Sequence, residues 1–134
     1  MATFEAAIDA WVRATQERVT AVVRQSAQDV FRAAQVPVAQ GGDMPVVTGF
    51  LRNSLATSLN GGSPDVSGAD SYVLQIARMA AGDAVLGAWT AEYARKVHFG
   101  EGGRPGRFWV TRAAAQWQQI VKKNAAELRR RVGS

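Results

Sequence analysis

Cysteine is absent from this chain of 134 residues, and histidine occurs once, at position 98. Without cysteine the chain has no disulfide scaffold, no zinc ribbon and no thiol nucleophile, and a single histidine excludes a multi-histidine metal site. No uninterrupted apolar run approaches the roughly 18–20 residues that span a bilayer. The first residues lack a basic segment followed by an apolar one, so we expect no signal peptide and a cytosolic compartment by default.

The familiar sequence patterns of catalysis are also missing. There is no nucleophile elbow of the Gly-x-Ser-x-Gly type, and the acidic residues are scattered rather than paired as in a glycosidase. The glycine-rich segment at 100–106 lacks the Gly-Lys-Ser/Thr ending of a phosphate-binding loop, and Pro105 removes one of its backbone donors. We therefore expect no enzyme, no cofactor and no metal, and no catalytic role for His98.

Length and composition indicate one folded domain spanning residues 1–134. The chain is 47% hydrophobic, and its size lets it bury a core without disulfides or metal. Charge is distributed unevenly: residues 1–94 carry six basic and nine acidic side chains, whereas residues 95–134 carry ten basic and two acidic ones. Such asymmetry fits contact with phosphate or with an acidic protein surface, and equally a role in solubility alone.

Residues 1–35 are typical of one long amphipathic helix. Apolar side chains recur at three- and four-residue steps, with a gap at Ser26 and Ala27. Thr3 is a candidate N-cap, and Pro37 ends the helix because proline disfavours helical geometry in the residue before it. At 1.5 Å per residue the helix is about 45–50 Å long, more than the width of a compact chain of this size. The excess favours packing against a neighbouring subunit; the alternative is a break near residue 14 or residue 26.

The sequence pattern of residues 48–107 predicts a small sheet with short helices. We expect a turn or short helix at 48–54, a short strand at 55–59, and a β-hairpin whose strands cover 72–77 and 84–89. A short helix follows at 90–97, and residues 100–106 form an exposed loop.

The chain ends in a helix over residues 108–132. Its apolar stripe predicts that Trp117, Ile120, Val121 and Leu128 are buried. The basic side chains in its second half complement the negative end of the helix dipole, which explains them without a ligand. The whole pattern predicts an α+β fold: a long N-terminal helix, a small antiparallel sheet made of the hairpin and the short strand, a short helix, and a long C-terminal helix.

Two segments carry a family resemblance. Residues 44–55 read Met-Pro-Val-Val-Thr-Gly-Phe-Leu-Arg-Asn-Ser-Leu, and residues 93–100 read Tyr-Ala-Arg-Lys-Val-His-Phe-Gly, followed by Arg-Pro-Gly at 104–106 and the last helix. In sequence and in order of elements the chain resembles the small neck or tail-completion proteins of long-tailed bacteriophages. It departs from their usual pattern at Val47, where they have aspartate, and at His98, where glutamate is common.

The resemblance implies a structural virion protein that joins the tail to the head or completes the tail. It would be assembled in the host cytoplasm, be located at the neck, and form a homo-oligomeric ring of six copies, with twelve as the alternative. Its partners would be the neck connector, the tail-terminator or tail-tube proteins and, without sequence preference, the genomic DNA that passes through the ring. No membrane is involved. In such a ring we expect contacts from the long N-terminal helix and from the loop at 41–44.

The candidate residues fall into two sets. The motif and interface candidates are Pro45, Thr48, Gly49, Leu51, Arg52, Tyr93, Val97, Gly100 and Pro105. The candidate contacts with DNA or an acidic partner are Arg104, Arg107, Lys122, Lys123, Arg129, Arg130 and Arg131. Several motif residues have a folding explanation: glycines at 49 and 100 permit turns, and Tyr93 and Val97 are spaced to pack one helix face. The alternative function is a small basic nucleic-acid-binding module, since basic and aromatic residues alternate near residues 95–112.

Overall fold

The computed structural model describes residues 3–46 and 49–132 and confirms the α+β architecture. Its elements in chain order are α1 (Phe4–Ala34), a 3₁₀ turn (Val38–Gln40), α2 (Phe50–Asn53), β1 (Leu55–Leu59), α3 (Ser71–Arg78), β2 (Val85–Trp89), α4 (Ala94–Phe99), β3 (Gly100–Glu101), β4 (Arg104–Pro105), α5 (Trp109–Ala115) and α6 (Trp117–Arg131).

Helix α1 is one unbroken helix, which is the continuous one of the two alternatives that the sequence leaves open. The Thr3 hydroxyl oxygen accepts a hydrogen bond from the backbone N–H of Ala6 at 3.1 Å, so the predicted N-cap is confirmed. The helix ends at Ala34, two residues before Val36, where the following Pro37 disfavours helical geometry. Neither of the breaks considered near residues 14 and 26 is present.

The predicted hairpin is wrong, because residues 71–78 form helix α3 and not a strand. The buried side chains there are Ser71, Tyr72, Gln75 and Ile76, whose spacing is helical. Over so few residues the apolar positions at 72, 74 and 76 also fit a strand, but Leu74 is exposed.

Strand β2 therefore pairs with β1 across the intervening helix. The two strands are antiparallel, with Leu55 opposite Trp89 and Leu59 opposite Val85. Helix α3 is joined to this sheet by polar contacts as well as apolar ones: the Gln75 side-chain amide donates to the carbonyl of Thr57 at 3.0 Å. This hydrogen bond satisfies two polar groups that lie inside the fold.

The core consists of two clusters on the C-terminal half of α1. The first comprises Ala34, Met44, Leu51, Ala91, Ala94, Trp109 and Ala113, and the second comprises Ala27, Leu55, Tyr72, Ile76 and Met79. Trp89 is partly buried and packs against both. Met44 is completely buried, so within the loop at 41–44, the predicted contact, only residues 41–43 reach the surface.

The C-terminal helix is not continuous. The helical hydrogen-bond pattern is interrupted at Gln116, whose backbone N–H donates to the carbonyl of Ala113, three residues back, and this residue separates α5 from α6. The burial prediction for this region is wrong in detail: Trp117 is 40% exposed, and no residue of α6 is fully buried. Ile120, Val121 and Leu128 are half-buried, and the deeply buried aromatic side chain is Trp109, in α5.

Helix α6 is attached to α1 by polar contacts too. The side-chain amide of Asn124 donates to the Ser26 hydroxyl at 3.1 Å and to the Asp29 carboxylate at 3.0 Å. These bonds explain why the apolar pattern of α1 has a gap at Ser26, which is fully buried.

The glycine-rich segment at 100–106 is largely exposed, as predicted, but it forms a small hairpin instead of an irregular loop. Gly100 pairs with Pro105 and Glu101 with Arg104, and the glycines at 102 and 103 turn the chain with positive φ. The short helix before it begins at Ala94, later than the predicted start at residue 90.

Candidate assembly surfaces

The first turns of α1 extend beyond the folded body. Every residue from 5 to 13 is exposed, including the apolar side chains of Ile8, Trp11 and Val12. Trp11 is 69% exposed. These three residues recur at helical spacing and so form a stripe along one side. We call residues 5–13 the arm; its apolar stripe is exposed and belongs to neither core cluster of the described residues.

An apolar groove lies at the other end of α1. Two adjoining surface cavities of about 360 and 150 Å³ share Gly87, Trp89 and Val110 as lining residues. Phe31 of α1 lines one of them and Phe99 of α4 lines the other. We call the two cavities together the apolar groove, since most of its lining is carbon.

Gly87 gives the apolar groove its shape. A Cβ atom at this position would collide with the ring of Phe31, so any side chain there would push α1 away from β2. On the other wall the rings of Trp89 and Trp109 meet edge to face, with centroids 5.9 Å apart. The groove is thus fixed by aromatic packing rather than by a mobile loop.

His98 belongs to the same wall. Its ring packs edge to face against Phe99, Phe108 and Trp109, and its Nε2 lies 3.2 Å from the Thr111 hydroxyl. Burial lowers the pKa of His98, so the neutral imidazole is favoured. Within residues 3–46 and 49–132 no group of three or more acidic or histidine side chains is placed to hold a metal ion.

One cation stands at the rim of the apolar groove. The Arg95 guanidinium carbon lies 5.8 Å from the centroid of the Phe99 ring, a cation–π distance. No carboxylate in the described part of the chain pairs with Arg95, whereas the neighbouring Lys96 pairs with Glu101 at 3.6 Å.

The two segments that carry the family resemblance lie against each other. The rings of Phe50 in the first and Tyr93 in the second have centroids 6.0 Å apart, with their planes tilted by 31°. Leu51 is buried in the core cluster against which Val97 packs. Tyr93 directly precedes α4 and is exposed, whereas Val97 packs against the core, although both line the same surface groove.

Both motif glycines have left-handed backbone conformations. Gly49 has φ +82° at the start of α2, and Gly100 has φ +89° at the end of α4, where a Cβ would strike the backbone of residues 104–106. This confirms their folding roles as a turn and a helix stop. Pro45 is half-buried, and Thr48 lies outside the described residues.

Arg52 is half-buried, and in the sequence it lies between Leu51 and Leu55, which are both buried. Its Nε is shielded from solvent and makes no hydrogen bond within the described ranges. No acidic group of those ranges forms a salt bridge with it.

A second, basic groove collects six of the predicted site residues. It has a volume of about 830 Å³ and is lined by Tyr93, Lys96, Val97, Gly100, Glu101, Gly102, Arg104, Pro105 and Arg107. Three of these side chains are cationic and one is acidic. Arg104 and Arg107 are exposed and form no salt bridge with a described acid.

The remaining predicted cations lie on α6, away from that groove. Lys122, Lys123 and the three arginines at 129–131 are exposed. Arg130 and Arg131 both pair with Glu127, whose pKa is lowered chiefly by the hydrogen bond from Arg130. The predicted basic set is therefore divided between two surfaces.

Sequence reasoning missed the apolar groove. Gly87, Arg95 and Val110 were not among the candidates, although glycine in the middle of a strand is a sign of close backbone approach. The groove joins residues from four elements, and its α1 wall, at Val30, Phe31 and Ala34, is far in sequence from the other three, which begin at Gly87.

Comparisons with protein families, with characterised proteins and with solved structures find no match for this chain. No helix in the described part of the chain is both long enough and apolar enough to cross a membrane.

Proposed function

We propose that the chain is a structural protein that assembles with copies of itself into a ring at the junction of a phage neck and tail. Six copies are favoured and twelve are the alternative. In this role it completes the tail or joins it to the head connector, and it contacts the connector and the tail-terminator or tail-tube proteins. It is assembled in the host cytoplasm and ends in the virion.

The observation that carries the self-assembly is the arm. An isolated subunit with Trp11 69% exposed on a projecting helix leaves apolar surface in water that a neighbouring subunit would cover. Large exposed apolar side chains at helical spacing are typical of a face that packs against another protein. The order of elements and the two motifs, which pack together through Phe50 and Tyr93, support the neck or tail assignment.

The decisive test is genetic. Removing the coding sequence from the phage or prophage genome that carries it is expected to yield DNA-filled heads and separate tails in electron micrographs. Supplying the chain from a plasmid restores joined particles. Normal particles without the chain, from a genome shown to lack it, would contradict the proposal.

A second candidate function, a basic nucleic-acid-binding module, is favoured by the basic groove. Arg104, Arg107 and Lys96 stand beside the exposed ring of Tyr93, a combination that suits phosphate contact with base stacking. Replacing Arg104 and Arg107 with glutamine would then weaken binding of a random oligonucleotide and reduce its salt dependence. Arg18→Gln, which removes an exposed cation elsewhere, is the matched control.

The same measurement separates this module from DNA contact inside a ring. A free module binds as a monomer, whereas contact in a ring requires the assembled form. Binding that persists when assembly is abolished supports the module, and binding that disappears with assembly supports the ring.

A further inference from the structure

We propose that the apolar groove of one copy receives the arm of a second copy, with Trp11 as the anchoring side chain. This inference rests on the proposed self-assembly and specifies its contact. The contact is between residues 5–13 of one subunit and a groove built from α1, β2, α4 and α5 of the next.

The arm cannot fill the groove of its own chain. Trp11 and Phe31, which lines the groove, are on the same unbroken helix. They are separated by about 30 Å at 1.5 Å per residue. Because no bend interrupts the helix between them, only another copy can bring an arm to the groove.

The two surfaces match in chemistry. The arm offers Ile8, Trp11 and Val12 on one stripe, and the groove offers aromatic and branched apolar walls at Trp89 and Val110. Tryptophan is enriched among the residues that dominate interfaces, because it buries a large apolar area at small entropic cost.

Charge complements this apolar match. Glu5 and Asp9 are four residues apart in the first two turns of α1, and the arm carries these two acids against one cation, Arg13, at its far end. Arg95, at the rim of the groove, has no acidic partner among the described residues of its own chain. The acidic side of the arm and the cationic rim of the groove therefore attract each other, which also orients the arm.

The contact is head-to-tail. Each copy has one arm and one groove on different surfaces, so the interface is heterologous, and repeated docking extends the assembly until it closes as a ring. This geometry differs from a two-fold dimer, in which the same patch would meet itself.

The test uses two variants of the full chain and their mixture. Trp11→Glu disables the arm and keeps the groove, and Val110→Asp disables the groove and keeps the arm. Both positions are exposed, and an aspartate in the first turn of α5 suits the helix dipole, so both chains are expected to fold. Circular dichroism and thermal unfolding check this directly.

Native mass measurement is the readout. We expect the unmodified chain to assemble beyond a dimer, and each variant alone to associate roughly 30-fold or more weakly, as for the loss of an interface anchor. Mixing the two variants restores one intact interface and gives a dimer that cannot grow. Leu74→Glu, at an exposed leucine on α3, is the matched control and leaves assembly unchanged.

The outcomes separate the two proposals. An unmodified chain that stays monomeric at every concentration overturns the self-assembly and this contact together. An unmodified chain that assembles while either variant also assembles normally, or while the mixture forms no dimer or grows beyond one, overturns the contact and leaves the ring-forming role standing.

Discussion

Trp11 and Phe31 are carried by a single helix, with Trp11 69% exposed on the projecting arm and Phe31 half-buried against Gly87 in the folded body. Their separation of about 30 Å makes the subunit two-ended. One end presents a large apolar side chain, and the other provides a cavity with apolar walls. A subunit with these two different ends can assemble head to tail, because the arm of each copy can dock into the cavity of the next.

The two tryptophans of the C-terminal helices should differ sharply in their effect on stability. Trp109 is 2% exposed and Trp117 is 40% exposed. We expect Trp109→Ala to lower the free energy of unfolding by about 3–5 kcal/mol because it leaves a cavity in the core. Trp117→Ala should cost about 1 kcal/mol or less. Denaturant unfolding of both variants measures this, and equal costs would show that the assignment of the core is mistaken.

Stability should decrease as the pH falls through the ordinary pKa of histidine. Burial lowers the pKa of His98 below its usual 6.5, so the unfolded chain binds the proton more readily than the folded one. The stability that the neutral ring contributes is present above about pH 6.5 and is lost below it. Asp65, Asp83 and Glu127, whose pKa values are also lowered, act in the same direction at more acidic pH.

The measurement is the melting temperature at about pH 7.5 and about pH 5.5, above and below the ordinary histidine pKa. Between these two pH values the melting temperature of the unmodified chain should fall further than that of His98→Gln. We also predict that His98 has no metal or catalytic role and that His98→Gln still assembles into infectious particles, because its ring packs against Phe99, Phe108 and Trp109. A metal that binds stoichiometrically and is lost in this variant would contradict that statement.

The arginines at the end of α6 should be dispensable for folding. Arg129, Arg130 and Arg131 are exposed, and exposed ion pairs contribute little. Replacing all three with glutamine should change the free energy of unfolding by about 1 kcal/mol or less, as denaturant unfolding would show. A larger loss would mean that their pairing with Glu127 supports the helix.

Two functional outcomes follow from the same triple variant. If these charges contact DNA, binding of random duplex weakens and its salt dependence becomes shallower. If they contact an acidic partner ring, DNA binding is unchanged and tail joining fails. Normal particle yield with unchanged DNA affinity would leave only the helix-dipole explanation.

The extent of the predictable fold was set by the length of each periodic segment. The 31 residues of α1 contain many repeats of the helical period, and both its N-cap and its end were predicted correctly. Helix α3 has eight residues, so Tyr72 and Ile76 fitted a strand as well as a helix. A strand at residues 72–77 would pair with β2 as a hairpin, so the same ambiguity hides the pairing of β2 with β1.

Burial in the C-terminal region failed for a related reason. The apolar spacing from Val110 to Leu128 fits one continuous helix, but the helix is interrupted at Gln116, and α5 supplies buried core residues whereas α6 supplies none. Which of the two helices is buried depends on the packing surface that other elements offer, which periodicity within one helix does not contain.

The candidate site was found in part. Six of the predicted residues line the basic groove, because they are close in sequence around the hairpin at 100–105. The apolar groove depends on contacts between distant segments, such as Phe31 with Gly87, and so required the fold.

The native mass of the unmodified chain over a range of concentrations shows whether the ring forms. We expect a closed assembly of six times the 14.4 kDa chain mass, or of twelve times, without open-ended growth. A mass of 14.4 kDa at every concentration, with the fold intact by circular dichroism, would contradict it.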